Sequence, residues 1–237
     1  MSALLKVRGL NAWYGAAHVV LDVDLELQRG EVVGLMGRNG AGKSSTLKAI
    51  MGLMPRRSGE IRFAGSDISH LHTHEVARRG LGFVPENRRI FSELTVIENL
   101  EVGRQAPRLW PDGTSAPQWT PEKLFQVFPN LASMPDRLGS RMSGGEQQML
   151  AVARTLMGNP LLVLLDEPSE GLAPLIVAQM AAMIHELKVQ GVSILLSEQN
   201  EQFAASVCDR VYLMDQGQVQ AVQHGRMNAL AARTDPT

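Results

Sequence analysis

Residues 37–44 read Gly37-Arg38-Asn39-Gly40-Ala41-Gly42-Lys43-Ser44. Before them runs the nearly continuous apolar segment Glu31-Val32-Val33-Gly34-Leu35-Met36, and after them Ser44 to Met54 has helical character, with Pro55 beyond its end. The first flank reads as a buried strand and the second as a helix, so the glycines occupy a strand-to-helix turn. In that context the pattern G-x-x-x-x-G-K-[ST] has a physical meaning. Glycines let the backbone curl so that successive N–H groups face one point, and the helix start adds partial positive charge there. Such a turn cradles phosphate. Lys43 is suited to neutralise β- and γ-phosphates and the Ser44 hydroxyl to ligate Mg2+. Gly37, Arg38, Asn39, Gly40, Ala41, Gly42, Lys43, Ser44 and Ser45 are therefore candidate nucleotide-binding residues.

A second apolar run, Leu161-Leu162-Val163-Leu164-Leu165, ends in the two carboxylates Asp166 and Glu167. An open α/β sheet places its ligand crevice at such a strand end. Asp166 is the candidate Mg2+ ligand with Ser44, acting through the metal's water shell, and Glu167 the candidate base for an attacking water, with Lys43 as a further catalytic candidate. The two motifs together define a P-loop NTPase.

Composition agrees with a packed enzyme. The chain has 237 residues, 44% hydrophobic and 20% charged, which is too apolar for intrinsic disorder. Its 23 Lys and Arg balance 24 Asp and Glu, so no global field favours nucleic acid as a partner. A single cysteine, Cys208, excludes an internal disulfide framework and fits a reducing compartment. No apolar run approaches the roughly 18 residues that a spanning helix needs, and the first residues lack the pattern of an export signal.

Around the phosphate turn, alternating segments near the N-terminus (LLKVRGL, VVLDVDLEL) read as half-buried strands, and Leu81 to Val84 as a further short one. From about Arg88 to Pro160 helical patterns dominate, interrupted by a Pro- and Trp-bearing segment, residues 106–121, that cannot be one regular element. Leu161–Leu165, a helix over Leu175–Gln190 and Val192–Leu196 form a βαβ unit, hence a parallel sheet. Two last strands flank Asp215-Gln216-Gly217, and a polar tail follows Gly225. His70, His72 and His74 read as an exposed loop without a metal role, and Cys208 as a small buried residue.

Within the helical insert, Met142-Ser143-Gly144-Gly145-Glu146-Gln147-Gln148 resembles the signature of the ABC ATPases. Its chemistry alone gives a capped helix start with exposed N–H groups, an anion site. The resemblance runs over nearly the whole chain. It implies an α/β P-loop NTPase fold, an ABC ATPase nucleotide-binding domain with a RecA-like core, an N-terminal antiparallel β-subdomain and an inserted α-helical subdomain. Residues 1–237 would then form a single domain: 1–87 and 161–225 the core with its β-subdomain, 88–160 the helical part, and 226–237 a tail.

The same resemblance implies ATP and Mg2+ as ligands and a head-to-tail pairing with a second ABC ATPase subunit, a heterodimer in the full complex. In that pairing Ser143, Gly144, Gly145 and Glu146 would bind the γ-phosphate held by the opposite subunit. Tyr14 would stack on adenine. Glu86 stands where most members have a glutamine near the metal, and Gln199 where most have a catalytic histidine. Gln199 can still donate a hydrogen bond to the γ-phosphate but cannot become cationic, and Glu86 either ligates the metal's water or repels the phosphate. These replacements, with Ser169-Glu170-Gly171-Leu172-Ala173-Pro174, resemble the ATPase subunits of branched-chain amino acid importers of the LivF type. Urea and short-amide importer subunits are the nearest competitors. Implied partners are two transmembrane permease subunits, facing Arg88, Arg89 and Phe91, and a periplasmic or extracellular substrate-binding protein, with no nucleic acid. The implied location is cytoplasmic, peripheral on the inner face of a bacterial plasma membrane. A soluble ABC ATPase of DNA repair or translation is the alternative of another class, but the sequence contains neither a long coiled-coil insertion nor a second cassette.

Overall fold

In chain order, the alternating N-terminal segments become β1 (Leu5–Tyr14) and β2 (Ala17–Leu27), the apolar run becomes β3 (Val32–Met36), and the phosphate turn leads into α1 (Lys43–Ile50). β4 (Arg56–Phe63), β5 (Ser66–Asp67), α2 (Thr73–Arg78) and β6 (Leu81–Val84) follow. Next come α3 (Val96–Gly103), α4 (Pro121–Val127), α5 (Pro129–Ala132) and α6 (Gly144–Leu156). The chain closes with β7 (Leu162–Asp166), α7 (Pro174–Val189), β8 (Ser193–Glu198), α8 (Glu201–Val207), β9 (Arg210–Asp215) and β10 (Gln218–His224). This computed structural model describes residues 3–224, and the polar tail lies outside them.

The strands form two sheets. One is antiparallel in the order β2-β1-β4-β5, and the other runs β10-β9-β3-β8-β7-β6. In the second sheet β9, β3, β8, β7 and β6 pair in parallel and only β10 is antiparallel, joined to β9 through the Asp215–Gly217 turn. A parallel sheet is covered on both faces, which explains why β3, β7 and β8 read as unbroken apolar runs. Their residues nevertheless alternate between two cores. Val33, Leu35, Leu162, Leu164 and Leu195 join the core shared with the antiparallel sheet and α1, while Val32, Val163, Leu165, Ile194 and Leu196 join the one shared with the helical insert, α7 and α8.

The Pro- and Trp-bearing segment is indeed not one element. A lone bridge between Leu109 and Ser115 is its regular feature, yet Trp110 and Trp119 are both buried. Trp110 crosses back to the first core and stacks under Arg29 at 4.1 Å. Trp119 stays in the second, its backbone N–H donating to Asn159 Oδ1 (2.7 Å). One expectation is corrected. The histidine segment is not simply loop: His72 caps α2, whose Glu75 side chain accepts from the His72 N–H, and the His72 and His74 rings stack at 5.9 Å. No metal-holding cluster occurs there among the described residues.

Candidate active site

The start of α1 differs from those of α3 and α6. Thr95 and Ser143 cap the latter two, each with a glutamate three residues on that reaches back. At α1 the N-cap is Gly42, with φ +105°, no side-chain cap and no acidic residue in the first turn. Its orphan N–H groups thus face outward without a protein acceptor, which fits an anionic ligand. The curl is enforced. A Cβ at Gly37 would stand 2.3 Å from the Met214 carbonyl oxygen, and one at Gly42 would stand 2.9 Å from that of Val19. The loop is held from outside by Gly217, whose N–H donates to Ala41 O (2.8 Å).

Four side chains converge here. Lys43 is 3% exposed; its Nζ donates to the carbonyls of Gly37 (2.8 Å) and Arg38 (3.1 Å) and pairs with Glu167 Oε1 at 3.0 Å. Ser44 Oγ donates to Asp166 Oδ1 at 2.7 Å. The β7 and β3 strands are separated in the sheet by β8, and β8 supplies the connecting hydroxyl: Ser197 Oγ donates to the same Asp166 oxygen at 2.7 Å. Ser197 also accepts from the Glu167 N–H, through its hydroxyl and its carbonyl, at 3.1 Å each. Glu167 sits at φ +47°, a strained position for a side chain of its size that these contacts hold in place. Burial raises the Glu167 carboxyl, but hydrogen bonds with Glu170 and Lys43, and the Lys43 charge, outweigh it and leave the group below the usual carboxylate range. Glu170 is driven the other way, to about 7, first by its hydrogen bond with Glu167, then by burial and by the charges of Glu167, Glu86 and Glu198.

A cavity of about 460 Å3 opens onto this constellation, lined by Gly40, Gly42, Lys43, Ser44, Ser45 and Glu167, with His18, Val19, Gln216 and Gly217. The hydroxyl and carboxylate oxygens of Ser44 and Asp166 are a hard donor set of the kind Mg2+ takes. The remaining expected site residues lie elsewhere in this conformation. Tyr14 is about half exposed and lines, with Glu86 and Asp166, a larger groove of about 980 Å3 that also takes in Arg89, Phe91, Arg108 and Arg154. Gln199 lines a smaller cavity with Gly37 and Arg38. Arg38, Asn39 and Gly40 are exposed at the loop's tip, whereas Ala41 is buried beneath it.

Ser143 caps α6 by accepting from the Glu146 N–H (3.4 Å) while Glu146 Oε2 accepts from the Ser143 N–H (2.7 Å). Glu146 also stands 3.8 Å from Arg137, so its carboxylate serves the cap. Gly144 and Gly145 face different neighbours. A Cβ at 144 would lie 2.9 Å from Arg88 Nη1, and one at 145 would lie 2.7 Å from Ile176 Cγ2.

Sequence reasoning missed three contributors. Glu198, 2% exposed, accepts from the Ser169 N–H through Oε1 (2.9 Å) and from Gln199 and Asn200 through Oε2 (3.0 Å each), fastening the two loops that flank the site. Ser197 and Glu170 are the others. The one available signal was a run of polar residues, Ser197-Glu198-Gln199-Asn200, closing an apolar strand.

Comparison with known proteins places this geometry. The profile of the ABC transporter family matches residues 20–170. The chain is 40% identical over 216 residues to the high-affinity branched-chain amino acid transport ATP-binding protein BraG of Pseudomonas aeruginosa, covering 91% of each. It is 36% identical over 225 residues to the lipopolysaccharide export system ATP-binding protein LptB of Escherichia coli K12, covering 94% of this chain and 90% of that one. Among solved structures it superposes on a nucleotide-free ATP-binding cassette from an ABC transporter with a TM-score of 0.78 and 26% identity, covering 94% and 92%.

Proposed function

Because this chain belongs to the ABC transporter ATPase family, whose members bind and hydrolyse ATP, we propose that it drives an importer for branched-chain or similarly hydrophobic amino acids. The observation that carries the catalytic part is the grouping of Lys43, Ser44 and Glu167 around one cavity at the start of α1, with Asp166 hydrogen-bonded to Ser44 behind it. Lys43 takes the β- and γ-phosphate oxygens, which draws its ammonium from Glu167 and leaves that carboxylate free to accept a proton from the attacking water. Hydrogen bonds with Glu170 and Lys43 hold it ionised before the nucleotide enters, and a positioned base contributes about 10²–10⁴-fold. Ser44 and Asp166 would hold Mg2+, which when bound neutralises developing phosphate charge. Glu86, which shares the larger groove with Asp166, would either ligate the metal's water or repel the phosphate. Gln199 donates to the γ-phosphate and Tyr14 stacks on the adenine ring.

Ser143, Gly144, Gly145 and Glu146 form the face that meets the triphosphate of a second ATPase subunit, arranged head to tail. The larger groove, with exposed Phe91 and Val102 among its walls, is where a membrane subunit docks. No helix among the described residues is long and apolar enough to cross a bilayer, so the solute path belongs to two permease subunits, fed by a substrate-binding protein, with this chain peripheral on the cytoplasmic side.

The solute class is supported by the 40% relative and by the form of residues 169–174. The 36% relative belongs to an export system, which favours a second reading as an exporter subunit. Reconstitution with the partner membrane subunits decides between them. ATPase activity stimulated by leucine, isoleucine or valine with their binding protein supports the importer, and stimulation by a lipid substrate alone overturns it.

A further inference from the structure

Two consecutive non-glycine residues, Arg88 and Arg89, hold left-handed backbone, at φ +61° and +49°. Such strain persists where the surroundings fix it, and it concentrates at switch segments. Here α6 does the fixing. Arg154, in the last turn of α6, donates through Nη2 to the Arg89 carbonyl at 2.7 Å, and the turn closes through Arg88 N–H to Pro85 O (2.9 Å) and Arg89 N–H to Asn87 O (2.6 Å). The two arginines then diverge. Arg89 lines the large groove together with Glu86 and Asn87. The Arg88 guanidinium instead lies beside Gly144, with Nη1, Nη2 and Cζ at 2.9, 3.3 and 3.4 Å from the place of a Cβ.

Gly144 is the first residue of α6, and the glutamate of that first turn, Glu146, is committed to the Ser143 N–H and Arg137. The cation therefore stands beside the helix end without that carboxylate to answer it. We propose that Arg88 is a positioning residue: through Gly144 it sets the start of α6 for the phosphate presented by the second subunit. Being two residues beyond Glu86, it ties that setting to the chain's own nucleotide. The inference rests on the head-to-tail reading above.

The test uses the Glu167→Gln chain as parent, with light scattering to follow its mass as ATP is added, and ADP affinity to report the single-chain site. Arg88→Gly suits the positive φ, so the turn survives. It is expected to raise the ATP concentration needed for dimerisation at least tenfold while leaving ADP affinity within twofold and thermal stability unchanged or improved. Arg88→Lys, which keeps the charge, should recover most of the loss. If the parent dimerises and Arg88→Gly does so equally well, or if ADP affinity falls in step, the assignment of Arg88 is wrong. If the parent stays monomeric with ATP, the head-to-tail reading falls and takes this inference with it.

Discussion

Ser197 shows how much of the site depends on a residue that no motif marks. Its hydroxyl donates to Asp166 and receives the Glu167 N–H, so one side chain orients the Asp166 carboxylate and anchors the Glu167 backbone. Removing partners of this kind typically costs 10–100-fold in metal affinity or activity. Ser197→Ala is therefore expected to raise the Mg2+ concentration for half-maximal ATPase activity about tenfold, which a metal titration at saturating ATP measures. Glu170 makes a pH-dependent contribution. Its folded pKa is raised to about 7 from the ordinary glutamate value of 4.5, so between those values the folded state holds the extra proton. The stabilisation is full below the lower value and fades as pH rises through 7. Glu170→Gln offers Glu167 an amide donor at every pH. The variant should match the parent's melting temperature near pH 5 and exceed it near pH 7.5, and equal differences at both pH values would count against the shared proton. Lys43, Ser44, Asp166 and Glu167 were legible because each lies in a local pattern with a chemical meaning. Ser197 and the hold of Glu198 on Ser169 were not, because those partners are set by the order of strands in the sheet, while Glu170 lies only three residues from Glu167 but carries no pattern that marks the contact.

At the level of elements, the two glycines that open α6 separate packing from signalling. Gly145 faces Ile176 near the start of α7, where an added Cβ would come within 2.7 Å of Cγ2. Overpacking of this kind costs about 1–3 kcal/mol. Gly145→Ala should destabilise the chain by that amount in urea unfolding, and Ile176→Ala should recover part of it, whereas additive losses would show that the contact does not couple α6 to α7. The helix itself was readable from its cap, Ser143 with Glu146, and its start at Gly144 follows the capping rule. α2 was missed because a three-histidine segment carries a weak helix signal. Its cap is supplied by Glu75 reaching back to His72, a contact the histidines obscured.

Across the whole molecule, the central sheet divides two cores, and its strands send alternate side chains to each. Binary pattern disclosed the strands but not this partition, since an unbroken apolar run looks the same from either face. Composition likewise marked residues 106–121 as irregular without revealing their task. Trp110 reaches the first core and Trp119 the second, so the segment straps the helical insert across the sheet edge. That connection matters for a motor whose proposed output is closure between two subunits. To move such an equilibrium from 1:99 to 99:1 nucleotide must favour the closed state by about 5.5 kcal/mol, a sum within reach of many charge-assisted contacts and beyond any single one. Hydrolysis, with Glu167 as the proposed base, would then reset it. ATP binding and single-turnover hydrolysis measured side by side on the wild-type and Glu167→Gln chains test this most directly. Affinity should be preserved while turnover falls by about 10²–10⁴-fold; wild-type turnover in the variant would contradict the account.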